Sequence, residues 1–218
     1  MKLYLKKIIS VMLFIVTTLH AEQFDMLIKH GRVMDGTGNP WFYANIGIKN
    51  GKIVYVGRKI EKMKAKRSID ADGLTVAPGF IDIHSHAYDS FRSFPDERIS
   101  AGDIDAEREK KLRPGKNMVA QGVTTLVTNQ DGRSGWPISD QIHKLNQGGF
   151  GPNIILMVGH GAIRFLAMGE DYKRETTPQE IKQMKKLLKQ GMEEGASGMS
   201  AGLEYVPGRW SNTKEMIE

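Results

Sequence analysis

Cysteine is absent from all 218 residues, and that gap removes more chemistry than any other feature of the composition. No disulfide framework, thiolate zinc site, iron–sulfur cluster, cysteine nucleophile or acylated cysteine anchor is open to this chain. Long apolar runs are scarce as well. The most apolar stretch, Ile8 to Val16 with Ser10 inside it, belongs to about a dozen apolar residues, short of the ~20 that a membrane span requires. A strong charge of one sign is also lacking. The net charge is +6, but Lys2, Lys6 and Lys7 lie in residues 1–21 with no acid among them, so the remainder carries only +3. That is a solubility-scale charge and not a phosphate-binding footprint, so no nucleic-acid partner is expected. With 40% hydrophobic and 26% charged residues, wholesale disorder is excluded too.

Residues 1–21 read as a secretory signal peptide, with a lysine-rich start, a short apolar core and Ala21 as a small cleavage residue. Leu19 departs from the usual small-x-small pattern before the cut. The expected product is a periplasmic or secreted bacterial protein with no stable membrane anchor after cleavage.

Over residues 22–77 the pattern is short strands and tight turns, a small β-sandwich-like domain. Met26-Leu27-Ile28, Val33-Met34, Ala44 to Lys49 and Ile53 to Val56 are strand-like, and Asp35 to Pro40 is turn chemistry. Asn50-Gly51 predicts a two-residue hairpin, because a type I′ turn needs positive φ at both centres. The only histidine here is His30 and the acids fall in turns, so no catalytic centre is expected in this part.

After Pro78-Gly79 strands alternate with helices. Phe80 to Ile83, Thr124 to Thr128, Asn153 to Val158 and Ala196 to Ala201 are predicted strands. Helices are expected over 105–121, interrupted by Pro114-Gly115, over 139–147, and from the Thr177-Pro178 cap to about Glu194. This order implies an α/β fold with a parallel sheet made of βαβ units over residues 78–218. Lys182, Lys185, Lys186 and Lys189 lie opposite the apolar stripe Ile181, Met184, Leu187, Leu188 and Met192, as on a solvated helix face. Asn212 with Glu215 three residues on reads as a helix cap opening at the end of the sequence. Three to four βα units leave a parallel sheet open, so a truncated chain is expected.

His84-Ser85-His86 follows the first of these strands. Residues i and i+2 of an extended segment point the same way, so both imidazoles are expected to project together. Neutral imidazoles suit Zn²⁺ and similar ions. The C-terminal mouth of a βα series is where such folds carry their active sites. Asp131, ending Thr128-Asn129-Gln130-Asp131, stands at the same mouth as a third ligand, although a turn aspartate before Gly132 would look the same. His160, in Gly159-His160-Gly161, is also at the mouth, either facing substrate or a satisfied loop histidine. His143 and His30 read as structural.

The stretch Ala77-Pro78-Gly79-Phe80-Ile81-Asp82-Ile83-His84-Ser85-His86 after a short β domain resembles the amidohydrolase superfamily. Within it the chain resembles the N-acyl-D-amino-acid deacylases, or D-aminoacylases. The matching segments are Asp35 to Trp41, Gln121 to Thr125, Val158 to Gly161 and Gly202 to Gly208. The resemblance implies the first half of a metal-dependent (β/α)8 TIM barrel. It implies that His84 and His86 are metal ligands for one or two divalent ions, Zn²⁺ above all. It also implies that Tyr205 contacts the carboxylate of a small-molecule N-acyl amino acid, with His160 as a second substrate-facing residue. Where well-known members carry a cysteine ligand this chain has Asp131, and Glu204 is the next candidate carboxylate. Strand four lacks the lysine of hydantoinases and dihydroorotases. The implied activity is metal-dependent amide hydrolysis. Its general-base aspartate belongs to strand eight and further histidine ligands to strands five and six, so the 218 residues alone are expected to be inactive. Alternatives are a dipeptidase acting on D-amino-acid-containing peptides, a lactam hydrolase, or a non-catalytic binding protein that has lost its metal.

Overall fold

A computed structural model describes residues 23–61, 63–87 and 115–218, in two compact units that divide between Pro78 and Gly79. The expected signal segment, and the expected helix as far as residue 114, lie outside the described residues.

The first unit is one mixed sheet. Strands β1 (Phe24–Val33), β2 (Phe42–Lys49), β3 (Lys52–Gly57) and β4 (Ala65–Asp70) are ordered β3-β2-β1-β4, and β5 (Thr75–Val76) continues alongside β1. The hairpin between β2 and β3 turns at Asn50 and Gly51, with φ of 51° and 72°, as the dipeptide predicts. The two strand-like segments before the first turn are a single strand, β1, bulged between Ile28 and Gly31. His30 sits in that bulge at φ 58°, and its N–H donates to Oδ1 of Asn45 at 2.9 Å. Asn45 is buried in β2, so this strand does not alternate as its sequence suggests; its amide also donates to the carbonyls of Gly57 and Arg58. Val33, Ala44 and Ile46 form the core. Strand β4 is polar and exposed, and its parallel pairing with β1 has no apolar signal in the sequence.

The second unit builds the mouth. Strands β6 (Phe80–Asp82), β7 (Val123–Thr128) and β8 (Asn153–Leu156) pair in parallel, as do β9 (Val158–Gly159) and β10 (Met199–Ser200). The third predicted strand therefore splits at Met157: Leu156 pairs with Thr128, and Val158 with Met199. The fourth shrinks to two residues. The helices are α1 (Lys116–Val119), α2 (Ile138–Gly148), α3 (His160–Met168), α4 (Pro178–Glu193) and α5 (Thr213–Ile217). Helix α4 opens with a full capping box, in which Thr177 and Glu180 each satisfy the other's backbone N–H. Ile138, Leu156, Val158, Ile163, Met184, Leu187 and Ala196 make the core that fixes α2, α3 and α4 on β8 and β9. Each of these side chains except that of Ala196 contributes roughly 1.5–3 kcal/mol by leaving water. Met192, expected on the apolar stripe of α4, is 41% exposed. Among the described residues no helix is long and apolar enough to cross a membrane.

Candidate metal centre

The end of β6 places two imidazoles on one side. Ser85 turns inward and is buried, and its N–H donates to the carbonyl of Val127 at 3.0 Å, so the pairing with β7 continues past the strand. With Ser85 facing in, His84 and His86 on either side of it both face out. Their Nε2 atoms lie 3.3 Å apart.

The third group comes from the β7 exit, a loop of unusual backbone. Asn129, Asp131 and Gly132 all have positive φ, at 64°, 58° and 74°. Asparagine, aspartate and glycine tolerate this region best, which is the local reason the sequence can fold this way. The loop is tied down from several sides. The Asn129 amide donates to the carbonyl of Met157 at 2.8 Å, and the Gln130 amide to those of Val127 and Ile83. The Ser200 hydroxyl donates to the Asn129 carbonyl at 2.6 Å and accepts from the Gly132 N–H. Gly159 permits a close approach: a Cβ there would lie 2.5 Å from both the carbonyl oxygen of Gly132 and the carbonyl carbon of Arg133.

So held, Asp131 puts Oδ1 3.5 Å from Nε2 of His84 and Oδ2 3.2 Å from Nε2 of His86. Ligand atoms of all three residues lie within 4.8 Å of one another. Two donors at the Zn–N distance of 2.0–2.1 Å with tetrahedral angles are about 3.3 Å apart, and each nearest separation here, with His84 meeting one carboxylate oxygen and His86 the other, is of that size. Two nitrogens and one carboxylate oxygen form a donor set that borderline divalent metals accept. The residues present fit such an ion. Glu204 is exposed and does not join this cluster.

His160 and Tyr205 are placed differently. His160 opens α3 and is 2% exposed; its Nε2 lies 2.8 Å from Oε1 of Glu215. Its Nδ1 has no hydrogen-bond partner among the described residues. Glu215 also accepts from Ser211 and Thr176 and pairs with the buried Arg164. Burial pushes the Glu215 carboxyl up, but hydrogen bonds from His160, Arg164 and Thr176 outweigh it and hold the pKa at about 2. Tyr205 is exposed, with the guanidinium of Arg133 5.4 Å from its ring centroid. Sequence reasoning missed Glu215, which reads only as a cap partner of Asn212; that hydrogen bond exists too, from the Glu215 N–H at 2.9 Å. It also missed Ser200 and Arg133, whose only signal is nearness to Asp131 once the loops are in place.

A profile of the amidohydrolase family matches residues 67–207. A D-aminoacylase of Alcaligenes xylosoxydans xylosoxydans is 30% identical over 91% of this chain and 42% of its own length. An N-acyl-D-glutamate deacylase of the same organism is 29% identical over 89% of this chain and 40% of its own. Among solved structures, the N-acyl-D-glutamate deacylase of Bordetella bronchiseptica, in complex with zinc and a phosphonate mimic of the tetrahedral intermediate, superposes with a TM-score of 0.74. It is 27% identical and is matched over 89% of this chain and 42% of its own. A D-aminoacylase with a binuclear metal centre gives a TM-score of 0.73 at 31% identity. The chain thus spans about two fifths of the length of the relatives it matches.

Proposed function

This chain belongs to the amidohydrolase family, and on that premise we propose that the whole protein hydrolyses an amide carbon–nitrogen bond at a divalent metal centre that includes His84, His86 and Asp131, with N-acyl-D-amino acids as substrates. The observation that carries the reading is the convergence of His84, His86 and Asp131, whose nearest donor atoms lie 3.2–3.5 Å apart pairwise and of which one ligand atom each falls within 4.8 Å of the others. The metal assignment is one or two ions, Zn²⁺ first among them. Relatives named D-aminoacylase and N-acyl-D-glutamate deacylase support the substrate class.

His84 and His86 supply neutral nitrogen donors, and Asp131 supplies the negative charge that offsets the cation. Bound there, a divalent ion supplies Lewis acidity toward the scissile carbonyl and acidifies water toward a pKa of ~7. Tyr205, exposed on the loop that packs against Asp131, meets the substrate at the rim.

The test is made on the whole protein. His84→Ala, His86→Ala and Asp131→Ala are each expected to lower bound metal, read by elemental analysis, and to abolish release of free D-amino acid. Full metal and full rate in all three variants would refute the reading. Residues 1–21 are assigned to export. N-terminal sequencing of the exported product should begin near Glu22, and a product that starts at Met1 and sediments with membranes would refute it.

A further inference from the structure

Arg133 stands two residues beyond Asp131 with an exposed side chain. Its backbone is held in place: the N–H donates to the carbonyl of Gln130 at 3.0 Å, and its carbonyl carbon lies against Gly159. Its guanidinium rests 5.4 Å from the centroid of Tyr205. Tyr205 is anchored in turn by a hydrogen bond from its N–H to Gly202 at 3.1 Å. Gly202 packs so tightly on the β7 exit that a Cβ there would come within 2.3 Å of the Asp131 carbonyl oxygen. Arg133, Tyr205 and Asp131 therefore belong to one packed rim.

The surroundings of Arg133 set it apart from the other arginines of this unit with fixed partners. Arg164 pairs with Glu215, and Arg174 with Asp171 and Glu180. Among the described residues no carboxylate lies within ion-pair distance of Arg133. A guanidinium with one face against an aromatic ring keeps its N–H edge free, and that edge matches the two oxygens of a carboxylate. The ring also restricts the long side chain in advance, so less freedom is lost when an anion arrives.

We propose that Arg133 is a specificity-determining residue that binds the carboxylate of the substrate. The inference rests on the amide-hydrolase reading above and adds an anion-recognising group to it. Lysine cannot reproduce the planar two-point contact, and an uncharged side chain of similar length removes it altogether.

The test compares whole wild-type protein with Arg133→Met and Arg133→Lys, all loaded with Zn²⁺. Calorimetric Kd values are taken for two ligands that cannot be hydrolysed, the ketomethylene analogue of N-acetyl-D-leucine (CH₂ in place of the amide NH) and the primary carboxamide of that analogue. In Arg133→Met the Kd for the acid should rise at least tenfold while that for the carboxamide stays within twofold, and Arg133→Lys should fall between. Metal content equal to wild type shows that the variants fold and keep the centre. An equal change for both ligands, no change for either, or a wild type that binds the carboxamide as tightly as the acid would overturn the proposal. Turnover is measured separately. A wild type without metal or amide hydrolysis would refute the functional reading, and the acid-to-carboxamide ratio would still decide the role of Arg133.

Discussion

Replacing Glu215 by glutamine should destabilise the second unit by about 3 kcal/mol at neutral pH. The carboxylate is 1% exposed, and its two oxygens accept from His160 and Ser211 on one side and from Arg164 and Thr176 on the other. Glutamine keeps one acceptor oxygen and turns an NH₂ group toward donors on the other side, and it leaves Arg164 as a buried cation without a counter-charge. Breaking a buried pair in this way typically costs 3–5 kcal/mol. An independent route gives a similar figure. The pKa falls from 4.5 to about 2 on folding, and at 1.36 kcal/mol per unit this corresponds to about 3 kcal/mol. Because the folded pKa is the lower one, that stability is fully present above the unfolded pKa and is lost as pH falls toward 2. Between pH 7 and pH 3.5 the difference between wild type and Glu215→Gln should narrow from about 3 to about 2 kcal/mol. Guanidinium denaturation followed by tryptophan fluorescence would read it, since Trp210 lies edge-on to Tyr172, whose carbonyl accepts from Arg164. Glu215→Gln combined with Arg164→Met should recover part of the loss. A single variant within about 0.5 kcal/mol of wild type, or a gap that widens on acidification, would refute the reasoning.

Gly159→Ala changes no ligand, yet its Cβ would meet the backbone of Gly132, Arg133 and Ser134 at 2.5–2.6 Å. We expect a loss of about 1–3 kcal/mol of stability, as for other overpacked sites. We also expect at least tenfold weaker metal binding, read by melting and by metal titration; unchanged metal affinity would show that the loop is not held from this side. Asp131→Cys should keep part of the metal that Asp131→Ala loses, because a thiolate is also a zinc ligand. Equal metal content in these two variants would show that the side chain at 131 does not coordinate.

Much of the architecture was open to reading because it is written in local periodicity and turn chemistry. Asn50-Gly51, the Thr177-Pro178 cap and the apolar strands after Gly79 each encode their element within a few residues. The candidate centre was half open to reading. His84 and His86 converge for a reason internal to one strand, whereas Asp131 reaches them through a loop held by Ser200, Gly159 and Met157, residues far apart in sequence. Strand β4 escaped because a polar edge strand carries no apolar stripe, and its partner residues in β1 lie far back in the sequence, Phe24 opposite Ala65 and Lys29 opposite Asp70. Glu215 escaped because an acid in the first turn of a helix ordinarily faces water. Only the tertiary fold turns it toward His160 and Arg164.

The left-handed backbone at Asp131 couples the chemistry of the ligand to the shape of the loop. Few L-residues adopt φ of 58° without penalty; aspartate is among them and cysteine is not favoured there, with a preference of roughly 1–2 kcal/mol against the left-handed form for ordinary side chains. Exchanging oxygen for sulfur at this position therefore changes two quantities at once, the hardness of the donor and the conformational ease of the turn that presents it. An engineer seeking a softer, thiophilic centre would need to reshape residues 129–132 along with the ligand. With Asp131 in its proposed role, metal preference would depend on a four-residue conformation, and a single side chain would not carry it alone.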